Sequence, residues 1–74
     1  MTTKQWSDTC VELTGSRAEL LAFFEDKGCT WKDVRWPPTR DAHFIDVSRG
    51  LKRIARIRYG RGGADVQYNP KGLL

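Results

Sequence analysis

Apolar and polar residues alternate in Ser7-Asp8-Thr9-Cys10-Val11-Glu12-Leu13-Thr14, with Thr9, Val11 and Leu13 on one side and Asp8, Cys10 and Glu12 on the other. That period of two predicts a strand with one buried face, ended by Gly15. Ser16-Arg17-Ala18-Glu19 then has the form of a capping box, in which the Ser16 hydroxyl accepts from the Glu19 amide and the Glu19 carboxylate accepts from the Ser16 amide. From Arg17 to Lys27 the apolar spacing changes to that of a helix. Leu20, Leu21 and Phe24 fall within about a third of the circumference, with Phe23 on the flank and Glu19, Glu25 and Asp26 on the polar side. Gly28 is placed to end the helix in the left-handed conformation, and Lys27 sits against the carbonyl end of the helix dipole.

Between Cys29 and Ala42 the pattern is irregular. Thr30-Trp31-Lys32-Asp33 is suited to capping one helical turn, and Trp36-Pro37-Pro38 stops any continuation. The expectation is a long ordered loop pinned by Trp31, Val34 and Trp36. Alternation then resumes in His43-Phe44-Ile45-Asp46-Val47, with a turn at Ser48-Arg49-Gly50. A second strand runs from Leu51 to Tyr59, with Ala55, Ile57 and Tyr59 on one side and Ile54, Arg56 and Arg58 on the other. Gly60-Arg61-Gly62-Gly63 is the next turn, a glycine-rich tip explained by positive φ, and Ala64-Asp65-Val66-Gln67-Tyr68 is the last strand before Asn69-Pro70-Lys71-Gly72.

These elements predict one α+β domain over residues 1–74: a small antiparallel sheet of about four strands, in the order β-α-β-β-β, with one helix packed on one face. Ile45, Val47, Ala55, Ile57, Tyr59, Val66 and Tyr68 would meet Leu20, Leu21 and Phe24, leaving the other sheet face uncovered. The first strand is free to pair at either edge, and an exposed edge of the last strand would suit a homodimer, so monomer and homodimer both stay open.

Composition sharpens this picture. A chain of 74 residues builds one small core, which argues against most large-fold enzymes and against a deep two-walled cleft. No apolar run is long enough to cross a bilayer and the amino end lacks the apolar stretch of a secretory signal, so the expected location is cytoplasmic and no membrane partner is expected. Cys10 and Cys29 are too few for a disulfide scaffold and, with His43 alone beside them, form no zinc-ligand spacing; two buried, reduced thiols are expected. No phosphate-binding glycine loop, calcium-type carboxylate cluster or Ser/His/Asp arrangement is present, so no metal or cofactor is expected.

Charge is distributed unevenly. Residues 1–30 carry three basic and five acidic side chains, whereas residues 31–74 carry ten basic and four acidic. Six of those bases, Arg49, Lys52, Arg53, Arg56, Arg58 and Arg61, lie on one strand and its two turns, and alternation aims Arg56 and Arg58 away from the helix. Arginine's planar fork suits bidentate contact with phosphate or carboxylate. These arginines either stand free for a ligand or pair with Asp46 and Asp65 on the neighbouring strands. His43 lacks a neighbouring nucleophile; hydrolysis would require Asp41 or Asp46 with Arg40 or Arg58 beside it. In its order of a helix and a three-strand sheet holding one histidine, the chain is loosely similar to small mRNA interferase toxins of the HicA type. That likeness would imply ribonucleolytic chemistry at His43, but Asp41-Ala42-His43 replaces the family's Gly-Ser-His signature and no closing helix follows Tyr68.

The expected function is therefore a small non-enzymatic module that binds DNA or RNA. Its surface would comprise Arg49, Lys52, Arg53, Arg56, Arg58 and Arg61, with Phe44 and the loop residues Trp31 and Trp36 as stacking or anchoring aromatics. The alternative is an inhibitor or adaptor, of the kind encoded by phage or mobile elements, that presents the same Arg/Trp surface to an acidic host protein.

Overall fold

The computed structural model describes residues 1–34 and 43–73. It is an α+β fold with one helix, α1 (Arg17–Asp26), and a single antiparallel sheet of six strands: β1 (Thr2–Ser7), β2 (Cys10–Gly15), β3 (Thr30–Val34), β4 (His43–Arg49), β5 (Lys52–Gly60) and β6 (Gly63–Tyr68). The strand order is β1-β2-β6-β5-β4-β3. A short 3-10 turn, Pro70–Leu73, follows β6. The sheet thus has two strands more than the alternation indicates, one at each edge.

Both extra strands lack the signal that marks a buried face. All six residues of β1 are exposed, and only Val34 of β3 is partly buried. They form because a neighbour offers an open ladder: β1 folds back on β2 through a turn at Asp8-Thr9, and β3 pairs with β4 from Thr30↔Ser48 to Val34↔Phe44. Thr30-Trp31-Lys32-Asp33 is accordingly extended rather than helical. The segment holding Trp36 and the two prolines lies outside the described residues.

The helix begins and ends where its local chemistry requires. Ser16 and Glu19 form both bonds of the capping box, and Gly28 follows the Lys27 cap with a φ of 81°. Leu20, Leu21 and Phe24 are buried against Val11, Leu13, Ile45, Val47, Ala55, Ile57, Ala64 and Val66. Phe24 meets Phe23 and Tyr68 edge to face, with ring centroids 5.2 and 5.4 Å apart. Burial raises the Tyr68 phenol's pKa. Both cysteines are free; Cys29 is buried and Cys10 is only half-buried.

Four expectations need correction. The last strand has no open edge, since β6 is hydrogen-bonded to β2 on one side and β5 on the other, and this removes it as a dimer edge. The first of the later turns falls one residue on, at Gly50-Leu51, where Gly50 has a φ of 65°. Of the three glycines around Arg61, only Gly63 has positive φ, and a side chain there would also press on the Gly15 carbonyl oxygen at 3.0 Å. The fourth correction concerns β5. Its register with β4 shifts so that Val47 opposes Ala55 and Ser48 opposes Arg53. Ile54, the extra residue of this bulge, packs against the core instead of sharing a side with Arg56 and Arg58.

Candidate nucleic-acid interface

Among the described residues the helix covers one sheet face and no element covers the other, so the chemistry of that uncovered face depends on strand parity. Along β5, Ala55 and Ile57 are buried whereas Arg56 and Arg58 are exposed and project from the uncovered face. The pairings Asp46↔Arg56, Phe44↔Arg58 and Arg58↔Asp65 put Phe44, Asp46 and Asp65 on that face too. Further along the same rows stand Lys32 opposite Asp46, and Glu12 between Gln67 and Lys4.

Neither central arginine stands alone. Arg56 Nε donates to Asp46 Oδ1 at 2.8 Å, and Arg58 Nη2 donates to Asp65 Oδ2 at 3.0 Å. Because the bulge turns Ile54 inward, Arg53 also reaches Asp46, with Nη1 3.7 Å from Oδ2. One carboxylate thus faces two guanidinium groups. The hydrogen bond from Arg56 to Asp46, aided by their Coulomb attraction, raises the pKa of the Arg56 guanidinium. All three arginines keep much of their side-chain surface in water, 56% for Arg53, 44% for Arg56 and 63% for Arg58. Arg56 lies over the Phe44 ring at 5.9 Å.

A shallow depression of ≈ 360 Å³ runs between Glu12, Arg56, Arg58, Asp65 and Gln67. A second, of ≈ 370 Å³, is lined by Thr14, by Arg58 through Ala64, and by Asp65. They share Arg58 and Asp65, so the two hollows together lead from the exposed Arg61 tip onto the sheet. At the far edge, Trp6 is 56% exposed, donates from its indole nitrogen to Glu12 Oε1 at 3.3 Å, and carries Lys4 Nζ over its ring at 3.9 Å.

The structure therefore divides the residues expected to form one surface. Arg53, Arg56, Arg58 and Phe44 share the uncovered face. Arg49 and Lys52 pair with each other across the end of the β4–β5 hairpin, and Arg61 occupies the opposite tip. Trp31 is elsewhere: it pairs with Val47 and lies on the helix side, its indole donating to Glu25 Oε1 at 3.2 Å. There Arg17 extends over Trp31 and Tyr59 at 5.1 and 5.3 Å, while the Tyr59 hydroxyl donates to Asp33 Oδ1 at 3.1 Å. Trp31 thus straps β3 to the helix and is not an anchor beside the arginines. Trp36 falls outside the described residues. Lys4, Trp6 and Lys32 belong to the uncovered face but escape the sequence pattern, because they ride on the two edge strands.

His43 stacks on Tyr59 with centroids 5.3 Å apart. It sits on the helix side of β4, three residues from Asp46 and on the opposite face, so this carboxylate is not placed to act with it. Among the described residues, no helix is long and apolar enough to cross a membrane. Compared with family models, curated proteins and solved structures, the chain matches none.

Proposed function

We propose that the chain is a small, non-enzymatic, cytoplasmic module that binds nucleic acid through its uncovered sheet face. The observation that carries this is the excess of cations on β5 and its neighbours: among the described residues, Arg53, Arg56 and Arg58 share the carboxylates of Asp46 and Asp65, with Glu12 beyond them on the same face, and keep 44–63% of their side-chain surface exposed. Solvent-exposed ion pairs hold their partners weakly. A phosphate arriving at Arg58 or Arg56 meets a guanidinium whose hydrogen bond to Asp65 or Asp46 uses one of five N–H donors, and the remaining donors suit an oxyanion. The mechanism is electrostatic attraction by a chain of net charge +4, followed by docking of phosphates along the arginine row.

Fluorescence polarisation with labelled DNA and RNA oligonucleotides, at low salt and over a salt series, tests the reading. Binding should weaken roughly linearly in log affinity against log salt, and Arg56→Glu with Arg58→Glu should abolish it while circular dichroism stays unchanged. Micromolar binding surviving in the double variant would overturn it. A polyglutamate probe bound as tightly as the oligonucleotides would transfer the face to an acidic protein partner, the alternative that the interleaved carboxylates favour.

A further inference from the structure

Resting on that proposal, we infer that the nucleic acid received by this face is single-stranded and that Phe44 stacks one of its bases. A major groove about 12 Å wide admits an α-helix or a two-stranded ribbon. Here the arginine row is on β5, flanked by β4 and β3 on one side and by β6, β2 and β1 on the other. With strands about 4.8 Å apart, the strand axes span roughly 24 Å, twice the groove. The molecule measures 34 × 27 × 19 Å, so the sheet does not fit into an undistorted groove.

The hairpin ends do not escape this constraint. The β5–β6 turn is only Arg61-Gly62, and Gly63 lies against the Gly15 carbonyl at the end of β2, so that tip is flush with the sheet. The β4–β5 hairpin is flanked by β3 up to Ser48 and ends at Gly50-Leu51. Neither projects as a ribbon long enough to read base edges.

A single strand meets no such obstacle, because it can lie along the sheet with its bases turned down. The face supplies both elements that sequence-tolerant single-strand sites use, a cationic row for the backbone and an aromatic ring for a base. Phe44 is half-buried on the uncovered face, directly opposite Arg58 and beneath Arg56. The two hollows joined at Arg58 and Asp65 mark the course of the backbone from the Arg61 tip.

The test compares a labelled single-stranded 12-mer with the duplex of the same sequence at one salt concentration, for the native chain and for Phe44→Leu, which keeps an apolar side chain but removes the π face. Thermal melting confirms that the variant is folded; if it is not, Phe44→Tyr, which restores the ring, replaces it and should bind like the native chain. The single strand should bind at least tenfold more tightly than the duplex, and Phe44→Leu should cost the single strand roughly tenfold while leaving the duplex unchanged. Duplex binding equal to or tighter than single-strand binding overturns this inference and leaves the nucleic-acid function standing. Failure of both probes to bind overturns the function itself, and the inference with it.

Discussion

Phe24 has no exposed surface, packs edge to face on its helix neighbour Phe23, and joins the helix to β6 through an edge-to-face contact with Tyr68. Phe24→Ala should cost about 3 to 5 kcal/mol, a large part of the roughly 5 to 15 kcal/mol by which small domains are stable. The expected result is loss of the cooperative thermal transition by circular dichroism, and an unchanged melting temperature would relocate the core. Glu19 illustrates a residue that acts by charge. Its carboxylate bonds the amino-terminal ammonium at 2.9 Å and the Ser16 amide at 3.0 Å, which lowers its pKa from 4.5 to about 2. A carboxylate with a lowered folded-state pKa stabilises fully above its ordinary value, and that contribution fades as pH falls from about 4.5 towards 2. Glu19→Gln should therefore flatten the fall of melting temperature across that window, and parallel curves for the two proteins would show that the ammonium contact contributes nothing.

Among the elements, the helix and the three later strands are legible because their evidence is local. A capping box, an apolar stripe and a terminal glycine lie within thirteen consecutive residues, Ser16 to Gly28. The outward aim of Arg56 and Arg58, and their neighbours Asp46 and Asp65, follow from alternation with Ala55 and Ile57. What stays hidden is whatever a distant partner decides. Strands β1 and β3 have exposed faces, so hydrophobic periodicity is silent about them, and only β-branched and aromatic residues such as Thr2, Thr3, Trp6, Thr30 and Trp31 mark them. Trp31 is misjudged for the same reason, since its face is set by pairing with Val47. Ile54 is turned inward by a bulge that no alternation announces. Edge position also has a dynamic consequence. Strand β1 is bonded to β2 alone and buries none of its residues, so its amides should exchange fast with deuterium while those of β5 exchange slowest, as measured by hydrogen-exchange NMR. Equal protection of the two strands would contradict the assignment of β1 as a loosely held edge.

At the scale of the whole molecule, charge and topology set the behaviour. Asp46 and Asp65 moderate the arginine row, so replacing both with asparagine raises the net charge from +4 to +6 without removing any base. Nucleic-acid affinity should then rise, and the slope of log affinity against log salt should steepen by about 0.7 for each additional phosphate held on a single strand. Isotherms at several salt concentrations would measure both, and unaltered affinity would mean that the carboxylates do not compete for the guanidinium groups.

The place of β6 matters in another way. Among the described residues, β6 is the last strand in sequence but the third in the sheet, and it joins the β1–β2 hairpin to the strands that follow the helix. Until Ala64, Val66 and Tyr68 emerge from the ribosome, the nascent polypeptide holds two unjoined pieces of sheet and a helix with half its platform missing. Closure across so long a sequence separation must await synthesis of β6, and a chain interrupted near Gly62 would expose Leu13 and Ile57 on two unsealed seams that invite aggregation.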